Sequence, residues 1–112
     1  MDNSDLIDSI VQYCNNLFYS NFKGFIHHID SNNHDVTYLV VTWVHGTPSD
    51  YTTKFSAFYT QIVDDSVSVD SNIKNARKNI ADLFNKLAAI EVKESGRTAR
   101  EMLHITPDQI NF

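Results

Sequence analysis

Glycine is scarce in this 112-residue chain, and Gly24, Gly46 and Gly96 stand far apart. That spacing excludes a glycine-rich phosphate loop, whose backbone N–H groups need clustered glycines to reach an anion. Cysteine is scarcer still. Cys14 stands alone, which excludes an internal disulfide and a cysteine-rich zinc site. No apolar run approaches the ~20 residues of a membrane span. The opening MDNSDLIDSI is acidic and lacks the basic segment of a secretory signal. These absences together predict an intracellular, cytoplasmic setting. What is present is enough for one real core: 42% of residues are apolar and 12% aromatic, outside the range of disordered chains. The length predicts a single domain.

Basic residues are rare over most of the chain. Residues 1–70 hold nine acids against Lys23 and Lys54, whereas residues 71–100 hold seven Lys or Arg against Asp82, Glu91 and Glu94. An acidic body therefore carries a basic helix and its extension. One reading is a solvated helix face with i,i+4 pairing, as between Lys78 and Asp82. The other is a patch for an anionic ligand.

That basic stretch is also the most regular in the chain. From Asp70 to Val92, the residues Ile73, Ala76, Ile80, Leu83, Leu87 and Ile90 recur every three or four positions. This period places them on one stripe of an α-helix, widened by Ala81, Phe84 and Ala88. Asp70 or Ser71 serves as the expected cap. A first helix opens at Asn3 or Ser4 and ends between Asn15 and Ser20. Its apolar face holds Leu6, Ile7, Ile10, Val11, Cys14, Leu17 and Phe18, so Cys14 reads as a buried structural thiol.

Between the helices lie three strand candidates. Phe22–Asp30 is followed by the turn signal Ser31-Asn32-Asn33-His34-Asp35. Val36–His45 is apolar on both faces, with Val36, Tyr38, Val40 and Val44 on one and Leu39, Val41 and Trp43 on the other. A sheet with one wet face alternates cleanly, so cover on both faces is expected. Tyr51–Val63 is the third strand, and Val67–Val69 is expected to add a short edge segment. The predicted fold is α+β: an N-terminal helix, a three-stranded antiparallel sheet and a long C-terminal helix, αβββα. Residues 1–92 form the domain. Residues 93–112 form a short helical docking tail, with Thr98–His104 helical and Thr106 capping a turn that opens on Pro107.

Catalytic chemistry finds little to build on. His27 and His28 point to opposite faces of a strand and so do not share a metal. Pairing either with His45 leaves a tetrahedron incomplete. Asp64-Asp65 reads as a strand-ending turn, and no nucleophile motif is present. The expectation is a non-enzymatic protein with no cofactor and no metal. A pocketed cone fold of the nuclear-transport-factor-2 type is an alternative that chain order and length fit poorly.

The helix start Lys74-Asn75-Ala76-Arg77-Lys78-Asn79-Ile80-Ala81 resembles that of the double-stranded-RNA-binding domain family, which shares the αβββα order. The resemblance spans roughly residues 5–90. It implies that Lys74, Arg77 and Lys78 grip phosphates and that His34, in the first strand-to-strand loop, enters an RNA groove. The stretch from Gly46 to Asp70 departs from the family, as do Ile73 in place of a lysine and Ser68 and Asp70 in place of two glycines.

The sheet carries the preferred reading. Two helices cover one face of three strands, which leaves an apolar face for an interface, and aromatic side chains concentrate at interface centres. Leu39, Val41 and Trp43, with Tyr38 as the alternative face, are the expected interface residues. The function expected is protein binding, through homodimerisation or capture of a partner. A small acidic Asn- and Ser-rich chain of this kind fits a viral or phage accessory factor or inhibitor.

Overall fold

In the computed structural model the chain runs α1 (Asn3–Phe18), β1 (Phe22–Ile29), β2 (Asp35–Thr47), β3 (Asp50–Asp64) and α2 (Val69–Ser95). Short 3-10 turns lie at Tyr19–Asn21 and Pro107–Gln109. The structure describes residues 1–47, 50–95 and 104–112, with side chains at 1–43, 56–90 and 104–112. The expected α+β order is therefore the order found. Most of the helix expected at Thr98–His104 lies outside the described residues.

Local chemistry sets each boundary. α1 opens on a capping box in which Asp2 accepts from the Asp5 N–H at 2.9 Å and Asp5 accepts from the Asp2 N–H at 3.1 Å. The reciprocal pair satisfies two donors that a helix start leaves free. The cap falls one residue before the expected Asn3 because the Asn3 side chain is engaged elsewhere, accepting from Asn72. Ser68, rather than Asp70 or Ser71, caps α2 by accepting from the Ser71 N–H. Val67–Val69 is accordingly turn and helix start, not an edge strand. The preceding Asp64 carboxylate accepts from both the N–H and the hydroxyl of Ser66, and these bonds hold its pKa below the usual carboxylate value. In the first hairpin, Asp30 accepts from the N–H groups of Asn32 and His34, while Asn33 takes a left-handed φ of 64°. That is the backbone Asn tolerates best after glycine.

The sheet is an antiparallel meander in the order β1-β2-β3. Among the described residues its register shifts at three places, one of them between His45 and Thr47 beside the second hairpin. β1 shifts register between Phe22 and Gly24, where Gly24 has a φ of 119° that side-chain-bearing residues avoid. β3 carries an extra residue at Ile62, between the pairs Thr37–Val63 and Tyr38–Gln61. This bulge turns both Ile62 and Val63 into the core.

Both helices pack on one face of the sheet. α1 buries Leu6, Ile10, Cys14 and Phe18, a strict i,i+4 stripe. α2 buries Ala76, Ile80, Ala81, Leu83 and Leu87 against Leu39, Val41, Ile62 and Val63. Full burial of each Leu, Ile, Val or Phe among them is worth about 1.5–3 kcal/mol. The last segment shares the same core. Ile110 is buried, and Phe112 meets the Tyr13 ring edge-on at 5.8 Å. Asn85 accepts from the Ile105 N–H and donates to the Ile105 carbonyl, so residues 105–112 lie across both helices.

Candidate interaction surface

Strand alternation sorts the sheet's side chains into two sets. On the helix side, Leu39 stands between Phe25 and Thr60, and Val41 between Phe22 and Phe58. Leu39 and Val41 have no exposed surface, and Trp43 is half-buried against the same cluster. These three were expected on an open interface. The structure instead turns them under the helices, because the bulge at Ile62 and the stripe of α2 meet them on that side. The Trp43 indole N–H is buried without a hydrogen-bond acceptor among the described residues.

The other face carries Tyr38, the remaining expected interface residue, between Ile26 on β1 and Gln61 on β3. Ile26 is 46% exposed and Tyr59, beside Val40, is 58% exposed. With His28 they line a shallow depression of about 290 Å³. Among the described residues nothing covers this face, contrary to the expectation that both faces are covered. β2 is apolar on both sides because one side faces helices and the other presents aromatic and aliphatic surface outward.

The basic residues divide. Lys74 and Lys78 are exposed, one turn apart on the outer side of α2. Arg77 is half-buried, with its guanidinium 6.0 Å from the centre of the Phe112 ring, and so holds the C-terminal segment. His34 lies with its Nδ1 3.4 Å from an Asp30 carboxylate oxygen, and its neighbourhood includes Asp64. A phosphate at His34 would meet carboxylates first. Lys74 and Lys78 thus share the outer side of α2, Arg77 turns toward Phe112, and His34 stands among carboxylates.

Cys14 is fully buried, and burial pushes its thiol up to about 12. A thiolate nucleophile is not available there. Among the described residues no group of three His, Cys, Asp or Glu is placed to hold a metal. No described helix is long and apolar enough to cross a membrane.

Sequence reasoning missed three asparagines. Asn72 is buried and accepts from the Asp64 N–H while donating to the Asp64 carbonyl and to Asn3. Asn79 donates to the Gln61 carbonyl at 2.8 Å. Asn85 holds Ile105. A signal for them was present: asparagine is a poor helix former, and this strongly periodic helix holds four, Asn72, Asn75, Asn79 and Asn85, of which these three find partners outside it.

No protein-family model matches the chain, and neither a curated protein nor a solved structure matches it.

Proposed function

We propose that this chain is a non-enzymatic protein-binding module that engages its partner with the open face of the sheet. The observation that carries the reading is the set Ile26, Tyr38 and Tyr59. They come from three adjacent strands and lie side by side around one depression on a face that no described helix covers. Apolar surface gathered in this way is the usual mark of an interface. Tyrosine supplies it with large contact area, few rotatable bonds and a polar tip. The free thiol of Cys14, buried without a disulfide partner, accords with a reducing, cytoplasmic setting.

A photo-reactive amino acid in place of Tyr38 tests the proposal. In extract of the source cell it should give discrete adducts, with a second copy or with another protein, and Ile26→Asp in the same chain should abolish them. Adducts that persist with Ile26→Asp, or no adduct beyond solvent quenching, would reject the face as a binding surface.

A further inference from the structure

β3 lies at an edge of the sheet, and α2 protects only part of that edge. Asn72, Asn79 and Lys86 follow one another at seven-residue intervals along α2. Seven helical residues rise ~10.5 Å, close to the ~10 Å spanned by three strand residues. α2 runs back along β3 in that proportion. Asn72 meets Asp64, Asn79 meets Gln61, and the Lys86 ammonium lies 5.0 Å from the centre of the Phe58 ring. The two asparagines bond backbone groups that β3 turns away from β2. At the third position the lysine sits over an aromatic ring, and no described side chain bonds the backbone there.

The Gln61 carbonyl faces outward to Asn79. In a strand the N–H and C=O of every second residue share a side, so those of Tyr59 and Ala57 face outward as well. Both residues are exposed. A cleft of about 360 Å³ borders them, closed on its far side by Asn79, Asp82, Leu83 and Lys86. Beyond Val41, β2 pairs among the described residues with β3 alone. The open edge therefore continues into a two-stranded ribbon, an arrangement with little stability of its own.

We infer that this edge is completed by β3 of a second copy, paired antiparallel across a two-fold axis at Tyr59. Charge carries the choice of occupant. Asp82 and Lys86 stand one turn apart on the exposed side of α2, and a two-fold axis between them sets each aspartate against the lysine of the other copy. The midpoint of that pair, residue 84, lies opposite Tyr59 in the strand proportion above, so the helix charges and the strand edges are satisfied by the same axis. An antiparallel edge is self-complementary in backbone hydrogen bonds. Tyr59 exchanges both of its bonds with its mate, and the Ala57 carbonyl accepts from the Gln61 N–H of the other copy, while the Gln61 carbonyl keeps its bond to Asn79. The product is a continuous six-stranded sheet with the helices together on one face. The surface is distinct from the open sheet face, although the pairing sets two such faces side by side.

The geometry is tested on the full chain. Sedimentation at high micromolar concentration should give twice the chain mass. Residues paired in this way have Cα atoms about 5.5 Å apart, within disulfide reach. Tyr59→Cys should therefore form an intermolecular disulfide under mild oxidation, and Ile26→Cys, two strands away, should not. Asp82→Lys should raise the dimer dissociation constant about tenfold or more, and adding Lys86→Asp should restore it, with circular dichroism unchanged throughout. A chain that stays monomeric, a dimer in which Tyr59→Cys fails to cross-link, or a dimer indifferent to both charge variants overturns the inference. A dimer abolished by Ile26→Asp but not by Asp82→Lys places self-association on the open face and overturns it equally.

Discussion

The two faces of β2 are built from nearly the same residue types and meet opposite fates. Leu39 and Val41 have no exposed surface, while Tyr38, next to Leu39 in sequence, opens onto the depression beside Ile26 and Tyr59. The difference does not come from β2. It comes from which side receives the stripe of α2 and the bulge of β3. Hydrophobic alternation defines two faces of a strand, but burial of one of them is decided by elements far away in sequence.

The strongest way to break this comparison is to cut into the covered side. Ile80 has no exposed surface and belongs to the cluster that includes Leu39 and Val41. Ile80→Ala removes buried methylenes and leaves a cavity, at a cost of about 2–5 kcal/mol. Leu83→Ala should cost a similar amount. Small domains have only ~5–15 kcal/mol in total, so urea denaturation should show a large drop in midpoint. A midpoint within error of the parent would mean that the stripe does not face the sheet.

Much of this was legible. The long helix followed from the period of Ile73, Ala76, Ile80, Leu83 and Leu87, and three strands followed from apolar runs between turn residues. The orientation of β2 was not legible, because it depends on which side α2 packs against, far away in sequence. A one-residue slip exchanges the faces of a strand, and no local signal marks it. The asparagines of α2 were legible as poor helix formers in need of partners, but not as edge caps. Asn72 and Asn79 act on β3 backbone groups, and their meaning appears only when α2 is laid along that strand. The phosphate grip expected at Lys74, Arg77 and Lys78 rested on the local helix sequence. Arg77 is drawn instead to Phe112, thirty-five positions downstream.

A second test asks how dry the covered side is. The Cys14 thiol is pushed up from 9.0 to about 12 by burial. Above pH 9 the unfolded chain gives up this proton while the folded chain keeps it, so the contribution is intact below pH 9 and is lost as pH rises toward 12. The loss approaches about 1.4 kcal/mol per pH unit in that window. Unfolding free energy measured from pH 8 to 11 should fall more steeply for the parent than for Cys14→Ala. Equal slopes would show that water reaches the thiol.

The smallest effect is expected on the open face, and its size carries the most information. Ile26→Thr keeps the β-branched shape that suits a strand and removes apolar surface from a side chain that is 46% exposed. In an isolated chain the cost should stay within about 0.5 kcal/mol, as for other surface changes. Binding that buries a face stabilises the folded state by mass action, so its contribution grows with concentration. Ile26→Thr and the parent should therefore be compared by urea denaturation at low and at high protein concentration. A small, constant difference leaves the face open in the protein alone and reserves it for a different partner. A difference that widens with concentration means that copies of the chain meet through Ile26, Tyr38 and Tyr59. A large difference already at the lowest concentration would mean that this face is covered within one chain, and the contrast between the two sides of β2 would fall.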